Sequence, residues 1–536
     1  MVMKNEDFPI SIDLLEQFID CNKKIWSNKK QGQKYILVNL SMVRMQIPWI
    51  LPKLLFAKGI EEQIGATPVV LTWNRNEHLT AFFESFGAEH IALNELCKKN
   101  IPGALVALMK TISFVLLDGT GEGLKKMKIG DIPVGKSLYE DILRTSSLST
   151  IRSCRNKTVI KKVFHLLLSC YTLRKYEKSH PVKYAITDDM AYHEGMFIRL
   201  FKNMGAKVIA CSNVAAKEVS FNASGEIIRH NWCDVDAVKK YISTVTEEEI
   251  AWVDNYLEER FRGNNGREID RQAFAGKKVL SKDELIQQYG IDPNKKTVVI
   301  MAHTFTDAVF NYGDYYFRDY YDWTEQTLKI AASNAKVNWI LKPHPTRSSY
   351  NESEDSIEDL FARYQKDHMF FLSDDVSSES IKNIADVLVT IGGNAGAEYA
   401  CFGVPAVIVG KPYYHGQGYT IEPASFEEYK NVLENADQIM PLTEEQIKVA
   451  KKVFFFRNGY RKDNNNRFQD EFADLLNAKY SEMIKAIPLQ YFKSNEGTKQ
   501  YNDNVIQFIC EYMQEHDLKE TQYYTRAFSF CSERNN

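Results

Sequence analysis

The segment LKPHPTR (Leu341–Arg347) places a histidine and two cations at the end of a predicted strand. Prolines on both sides of His344 fix the backbone and disfavour a helix before them, so the imidazole is presented from a stiff corner. An imidazole with Lys342 and Arg347 beside it suits a phosphate group. The pattern is equally consistent with a turn whose histidine is only solvated, and the sequence alone leaves both interpretations open.

A glycine-rich turn follows a later strand of the same half, in TIGGNAGAEYACFG. The backbone N–H groups of a helix that starts after such a turn attract anions, which makes the turn a candidate cradle for a diphosphate. An acidic residue in the first turn of that helix is suited to accept hydrogen bonds from a sugar hydroxyl, or to complement the helix dipole. The candidate donor-binding residues here are Gly392, Gly393, Asn394, Gly396 and Glu398.

Hydroxyl and imidazole groups also follow two other predicted strands of this half. Ser377 and Ser378 precede a predicted helix, where we expect one of them to be the N-cap and consider contact with a donor phosphate as the alternative. His303 and Thr304 follow the first strand of the half and are further donor-binding candidates.

The first half contains one acidic cluster, in ITDDMAYHEG. Asp188, Asp189 and Glu194 are candidate catalytic residues, because repulsion between carboxylates and partial burial raise a carboxyl pKa toward the range that general-base catalysis needs. The alternative is a capped helix start with Glu194 on the surface. His193 lies within the same cluster.

Short β-rich runs alternate with helical stretches in both halves, which predicts an α/β protein built from parallel βαβ units. Ligands in such sheets bind beyond the carboxyl ends of the strands, where the residues above are expected to lie. The rhythm lapses in a polar stretch between about 212 and 295. We therefore expect one Rossmann-like domain over 1–270, a second over 271–480 and C-terminal helices over 481–536.

Composition narrows the class of protein. The chain has 536 residues with 44% hydrophobic and 26% charged residues, which is typical of a folded protein, and its net charge of −3 gives no support for nucleic-acid binding. Nine scattered cysteines and an acidic N-terminus predict reduced thiols and a cytoplasmic location. With no P-loop and no zinc-type cysteine spacing, we expect neither a metal nor a cofactor.

Two segments bear on membranes. Between Arg144 and Lys183 lie ten Lys or Arg residues and a single acid, Glu177, interleaved with apolar residues. This stretch is either a solvated helix face or a contact for an anionic membrane surface. The apolar run Ile101–Leu117 is marginally short for a membrane span, and we expect it to form a buried helix and strand.

The combination of KPHP with the downstream glycine-rich stretch ending in YYHGQGYT resembles bacterial capsule and lipopolysaccharide glycosyltransferases of the GT-B fold. The greatest similarity is to β-Kdo transferases of capsule assembly, and the histidine–proline motif also resembles that of bacterial sialyltransferases. The resemblance implies two Rossmann-like, doubly wound domains facing across a cleft, with the acceptor bound by 1–270 and the nucleotide sugar by 271–480. It also implies a helical C-terminal tail over 481–536 that can cross back to the first domain. It further implies that His344 contacts the donor phosphate and takes part in catalysis.

The expected activity is transfer of a sugar from a nucleotide-activated donor, CMP-Kdo-like or other, to a growing capsule or lipopolysaccharide glycan, free or lipid-linked. Such an enzyme would be cytoplasmic or peripheral on the inner face of the cytoplasmic membrane. Two alternatives stay open: a nucleotide-sugar epimerase or glycerophosphate transferase on the same fold, and a non-catalytic scaffold of polysaccharide assembly.

Overall fold

A computed structural model describes most of the chain. The described residues are 10–26, 32–41, 47–211, 216–221, 225–228, 235–264, 274, 276–345, 347, 355–460, 503, 506, 507, 510 and 511. They divide into two compact units. Unit 1 takes the residues up to Thr145, those from Ser153 to Ile228 and the C-terminal ones; unit 2 takes Ser146–Arg152 and the residues from 229 to 463.

Unit 1 is a six-stranded sheet in the order β3-β2-β1-β6-β7-β8, parallel except for β8. Its strands, with a small hairpin β4–β5, are β1 (Tyr35–Asn39), β2 (Thr67–Thr72), β3 (Glu89–Ala92), β4 (Lys128–Ile129), β5 (Ile132–Pro133), β6 (Val182–Thr187), β7 (Lys207–Cys211) and β8 (Ala216–Glu218). Its helices are α1 (Ile12–Ile25), α2 (Ile47–Ile64), α3 (Glu77–Ser85), α4 (Leu93–Lys98), α5 (Ile101–Asp118), α6 (Gly121–Lys125), α7 (Gly135–Ser146), α8 (Lys157–Ser179) and α9 (Tyr192–Asn203).

Unit 2 is a second six-stranded sheet, parallel throughout, in the order β11-β10-β9-β12-β13-β14. Its strands are β9 (Thr297–Met301), β10 (Asn338–Lys342), β11 (Met369–Phe371), β12 (Val387–Thr390), β13 (Ala406–Ile408) and β14 (Thr420–Ile421). Its helices are α10 (Val235–Ile242), α11 (Glu247–Phe261), α12 (Lys282–Tyr289), α13 (Tyr320–Ser333), α14 (Ile357–Tyr364), α15 (Glu379–Lys382), α16 (Ala395–Ala400), α17 (Phe426–Glu434) and α18 (Glu444–Phe455), with a 3₁₀ turn at Ala436–Gln438 and a π turn at Phe456–Tyr460.

Both strand orders reverse direction at the first strand of the unit, β1 or β9, which is the doubly wound pattern. The central strands β9, β10 and β12 are buried on both faces, as expected for continuous apolar runs in a parallel sheet. The expected α/β GT-B class with two Rossmann-like units is therefore confirmed. Most of the expected helical tail lies outside the described residues.

The boundary between the units lies at 228/229, whereas the composition shift placed it at 270/271. Helices α10 and α11 cause the difference, because their apolar residues join the core of unit 2. Leu257 and Phe261 of α11 are buried there with Phe454 of α18. Near the C-terminus, Asp503 accepts hydrogen bonds from Ser11, and other C-terminal residues pack in the unit 1 core.

The apolar run predicted to be a buried helix and strand is instead the single helix α5, and most of it is exposed. Its buried positions are Gly103, Ala107 and Thr111, whose small side chains let α5 lie against α8. The prediction was wrong because apolar character indicates burial only when the large side chains face the core.

Candidate functional site

Two histidines lie at the carboxyl edge of the unit 2 sheet. Strands β9 and β10 pair in register with Met301 opposite Lys342. His303 and His344 each follow two residues after these paired positions, so they leave the sheet side by side. The pKa of His303 is lowered to about 3, mainly by burial and secondly by the charge of His344. His303 is therefore neutral near pH 7.

Aromatic rings and one hydroxyl fix the His303 side chain. Its ring centroid lies 4.7 Å from that of Tyr320 and 6.0 Å from that of Trp323. Its Nε2 lies 3.1 Å from Thr390 Oγ1, and that hydroxyl also accepts a hydrogen bond from the N–H of Gly393.

The glycine-rich turn lies beside His303, but its glycines have different roles. A Cβ at Gly393 would come no closer than 3.2 Å to any neighbour, and His303 Cε1 would be 3.6 Å away. At Gly392 a Cβ would lie 2.8 Å from the Tyr312 ring, and at Gly396 it would collide with the Tyr414 hydroxyl and lie 2.9 Å from Cζ. Thus Gly392 makes room for the partly buried ring of Tyr312 and Gly396 for the buried ring of Tyr414, whereas Gly393 keeps the sheet edge open.

The two cations of the KPHPTR segment are committed to the protein itself. Lys342 is buried, and its ammonium donates to the backbone carbonyls of Ser373 and Val376 at 2.7 and 2.8 Å. Burial lowers its pKa to about 8. Arg347 pairs with two carboxylates, Glu358 at 2.5 Å and Asp374 at 2.6 Å. These contacts give both residues a role in holding loops, which the sequence pattern did not predict.

Ser377 and Ser378 lie before α15, and their contacts are structural. The Ser377 hydroxyl accepts a hydrogen bond from the N–H of Glu379 at 3.1 Å, and the carbonyl of Ser378 accepts one from the Tyr399 hydroxyl. Both residues are buried. Ser378 occupies the N-cap position of α15, as expected for one of the two serines, but its side chain makes no capping hydrogen bond, and the hydroxyl of Ser377 binds the first N–H of the helix instead.

The remaining predicted donor-binding residues differ in their environment. Glu398 is buried against Arg260 of α11, whose Nε donates to Oε1 at 2.8 Å, so its carboxylate is already neutralised by a protein cation. Asn394 is exposed at the start of α16. The hydroxyl of Thr304, next to His303, is buried and has no hydrogen-bond partner among the described residues.

The acidic cluster of unit 1 follows β6, as predicted, but its carboxyl groups are occupied. Asp188 pairs with the buried ammonium of Lys53 at 2.6 Å. Asp189 Oδ1 accepts hydrogen bonds from the N–H groups of Met190 and Ala191 at 2.6 and 3.0 Å, as a turn-capping residue does. Burial raises the pKa of Asp188.

Glu194 is fully buried, contrary to the surface alternative. Its Oε2 accepts hydrogen bonds from Thr187 Oγ1 and from the N–H of Asp189 at 2.7 and 2.6 Å, and its Oε1 has no partner among the described residues. Burial raises its pKa to about 8, with repulsion from Asp188 and Asp189 adding to the shift. Glu194 is therefore mostly protonated at neutral pH, and only the minor ionised fraction could accept a proton as a base.

His193 joins this cluster in a hydrogen-bonded chain. Its Nδ1 lies 2.6 Å from Asp141 Oδ1, and its Nε2 lies 2.9 Å from Ser41 Oγ. The carboxylate of Asp141 can only accept, so Nδ1 carries a proton and orients the ring. Ser41 Oγ also lies 2.7 Å from Asn39 Oδ1. When the ring is neutral, the single hydroxyl hydrogen of Ser41 is donated to His193 Nε2, because Nδ1 already carries the proton. The chain joins the carboxyl ends of β1 and β6 through α7 and α9.

The backbone and an aromatic ring support this arrangement. Tyr192, directly before His193, has a φ of +53°, a left-handed conformation that is costly for a bulky residue. The ring of Trp73, which follows β2, meets the edge of the imidazole at a centroid distance of 5.1 Å. A strained residue beside a buried, oriented imidazole is the kind of feature that clusters at functional sites.

Asp141 and Ser41 were absent from the predicted site, and His193 was only a member of the acidic cluster. The one available signal for Ser41 was its place directly after the strand KYILVNL. Asp141 lies on a helix, where sequence spacing does not indicate which strand end it will meet. Among the described residues, no group of three or more His, Cys, Asp or Glu side chains could hold a metal ion.

The comparisons with known proteins bear on unit 2 most directly. Residues 269–447 match the family model described as capsule polysaccharide biosynthesis protein. No curated protein matches the chain significantly. The matched stretch contains His303, His344 and the glycine-rich turn.

Solved structures similar to this chain include three at low identity. A β-Kdo 2,7 transferase, KpsC of Thermosulfurimonas dismutans, has 14% identity and a TM-score of 0.30, covering 52% of this chain and 79% of that one. Anabaena Alr3699/HepE in complex with UDP has 12% identity and a TM-score of 0.25, covering 85% and 100%. A UDP-N-acetylglucosamine 2-epimerase from Listeria monocytogenes has 9% identity and a TM-score of 0.24, covering 79% and 92%.

The functional assignment of unit 2 rests on the family match and on the geometry of the carboxyl edge of its sheet. Over residues 269–447, one third of the chain, the expected resemblance to bacterial surface-polysaccharide biosynthesis proteins is confirmed.

Proposed function

We propose that this protein is a glycosyltransferase that moves a sugar from a nucleotide-activated donor to a bacterial capsule or lipopolysaccharide glycan. The observation that carries the proposal is the placement of His344, His303 and Gly393 together at the carboxyl edge of the unit 2 sheet, within the stretch that matches the capsule family. This edge is where ligands bind in open parallel sheets.

The phosphate of the donor is assigned to this edge. His344 supplies a cationic or hydrogen-bonding ring, and neutral His303 supplies a second ring whose orientation Thr390 fixes. Hydrogen-bond donors held in place before the reaction stabilise the negative charge that develops on the leaving phosphate, and in enzymes this stabilisation commonly contributes most to the rate. Lys342, Arg347, Ser377 and Glu398 support the loops around the donor in this proposal rather than contacting it.

Acceptor activation is assigned to His193 of unit 1. Of the predicted acids, Glu194 is mostly protonated at neutral pH, Asp188 is paired with Lys53 and Asp189 caps a turn. His193 has the required partner in Asp141, which holds its protonated Nδ1 and directs Nε2 toward a hydroxyl group. Removing a proton from the acceptor hydroxyl is general-base catalysis of the kind that contributes roughly 10²–10⁴ in rate.

Nucleotide binding tests the donor assignment. Calorimetry with CMP, UDP and GDP should show one of them binding, and His344→Ala should weaken that binding at least tenfold. The matched control is His368→Ala, because His368 precedes β11 at the amino edge of the same sheet and its Nε2 lies 2.9 Å from the carbonyl of Ala331. Failure of all three nucleotides to bind would refute the proposal and favour a scaffold.

Turnover with an acceptor tests the remaining parts. Asp141→Asn should lower kcat by about tenfold or more and alter its pH profile, while nucleotide affinity stays the same. Sugar conversion without any acceptor would instead identify an epimerase. The proposal includes a cytoplasmic location and no metal or cofactor, so treatment with EDTA should leave turnover unchanged.

A further inference from the structure

Helix α5 of unit 1 reverses the usual amphipathic pattern. Its small residues Gly103, Ala107 and Thr111, spaced four apart, form the buried face. At its two ends, Asn100 Nδ2 donates to Thr172 Oγ1 of α8 at 3.0 Å, and Arg155 Nε donates to the carbonyl of Val115 at 3.2 Å. The two helices therefore run antiparallel, and these contacts fix α5 along α8.

The opposite face of α5 consists of large apolar side chains in water. The exposed ones are Ile101, Leu105, Val106, Leu108, Met109, Ile112, Leu116 and Leu117, with Leu116 and Leu117 72% and 83% exposed. Ile101, Leu105, Met109, Ile112 and Leu116 follow helical spacing and form one stripe. Of the described helices, α5 alone is long and apolar enough to cross a membrane, yet only 17% of it is buried.

Exposed cations lie on the segments next to α5 in sequence and in space. Lys98 and Lys99 are exposed directly before α5, and Lys157, Lys161, Arg174, Lys175 and Lys178 are exposed on α8, which supports it. The only acids on the two helices are Asp118 and Glu177. An apolar stripe with a cationic border is complementary to an anionic lipid surface, whose headgroups attract each nearby Lys or Arg by about 1 kcal/mol.

We propose that α5 is a membrane-binding element that lies in the surface of an anionic bilayer, with its apolar stripe in the acyl boundary and the cations of α8 at the headgroups. A second copy of the chain is a poorer occupant, because pairing two such faces would bring the two sets of cations together. A spanning orientation would require α5 to leave α8 and its cap Asn100, whose side chain accepts from the N–H of Gly103.

Vesicle flotation of the full-length protein tests this proposal. Binding should be strong to vesicles with 30% phosphatidylglycerol, weak to pure phosphatidylcholine and reduced severalfold by 0.5 M NaCl. The combined variant Leu105→Gln, Met109→Gln, Leu116→Gln should lower partitioning at least tenfold. Replacing Lys157, Lys161 and Lys175 by Gln should lower it also, with less remaining salt dependence.

The matched control is Ile12→Gln combined with Met440→Gln, which removes two apolar side chains that are 55% and 73% exposed outside α5. This control should bind vesicles like the unaltered protein, and melting curves should show all variants folded. Equal binding of the α5 variant and the unaltered protein would overturn the proposal. So would a dimer of the unaltered protein that the α5 substitutions dissociate while no vesicle binding is seen.

Discussion

The carboxyl group of Glu194 illustrates how burial changes the chemistry of a single residue. It stands among acids, yet its two hydrogen-bond donors do not compensate for complete loss of water, and its pKa is raised to about 8. The folded protein therefore holds a proton that the unfolded chain releases near the ordinary value of 4.5.

This difference predicts how stability depends on pH. Because the folded state binds the proton more tightly, its stabilising effect is complete below pH 4.5 and is lost as pH rises toward about 8. In that window the folded state holds one more proton than the unfolded chain, so the free energy of unfolding falls by about 1.4 kcal/mol for each unit by which the pH rises. Glu194→Gln, which mimics the protonated acid, should remove this slope in urea unfolding measured from pH 5 to 9.

Glu84→Gln serves as the control, because Glu84 is an exposed carboxylate on α3 of the same unit. Its unfolding free energy should follow that of the unaltered protein at every pH. If the Glu194→Gln curve also runs parallel to the unaltered one, Glu194 is not protonated in the folded state and its exclusion as a base fails.

For single residues, the sequence predicted where the polar side chains lie but not which role each of them has. The positions after β6, β9, β10 and β12 follow from where apolar runs end, and the structure does place these residues at carboxyl edges. The partners could not be predicted, because Lys53, Arg260 and Asp141 lie far away in sequence and reach the site only through helix packing. As a result, Lys342 and Arg347 hold loops, Glu194 is a protonated acid and His193 is an oriented histidine.

At the scale of elements, the turn after β12 separates packing from binding. Sequence predicted a single function for its glycines, since each lacks a side chain. The structure distinguishes them by what a Cβ would meet: the fully buried Tyr414 at Gly396, but only the edge of Thr390 at Gly393. The two positions are three residues apart on one element, which makes them a matched pair.

Alanine should therefore lower stability at one position and nucleotide binding at the other. Gly396→Ala should lower the free energy of unfolding by about 1–3 kcal/mol, because the added methyl group overpacks against a ring that cannot move. Gly393→Ala should fold with little loss but weaken nucleotide binding about tenfold or more, since its methyl group would occupy the space beside His303. Thermal melting and calorimetry on both variants measure the two effects.

The result that contradicts this division is Gly393→Ala binding nucleotide with unchanged affinity. The turn would then owe all its glycines to the packing of tyrosines, and the donor phosphate would have to be held elsewhere on the edge.

The secondary-structure rhythm predicted both sheets, since alternating strands and helices leave few other folds. It misplaced α10 and α11, because a polar helix pattern does not indicate which sheet its apolar face will cover. Their assignment to unit 2 is supported by ion pairs with α18, Lys448 with Glu247 at 2.5 Å and Lys451 with Asp254 at 2.7 Å. Helix α5 was misjudged for the corresponding reason.

At the scale of the whole molecule, unit 2 is built from two separate segments of the chain. The seven residues Ser146–Arg152 belong to unit 2 although both flanking segments belong to unit 1. Side-chain hydrogen bonds hold this segment: Ser149 Oγ donates to the carbonyl of Asp355 at 2.9 Å and accepts from its N–H at 3.3 Å, and Thr150 Oγ1 donates to Asp319 Oδ2 at 2.6 Å. No property of the segment's own sequence indicates this membership.

Hydrogen exchange with and without the bound nucleotide tests both this membership and the donor assignment. A ligand that binds only the folded form of unit 2 stabilises that unit by RT ln(1 + [L]/Kd), about 2.7 kcal/mol at a hundredfold excess over Kd. Amides that exchange through unfolding of unit 2 should then slow by about a hundredfold. Residues 146–152 should share this protection with β9–β13, while α8 and β6 of unit 1 should not.

Exchange of 146–152 at the rate of α8, with protection confined to 235–460, would show that the segment is not part of unit 2. Thr150→Val, which removes the bond to Asp319, should lower the protection of 146–152 selectively and leave that of β9 unchanged.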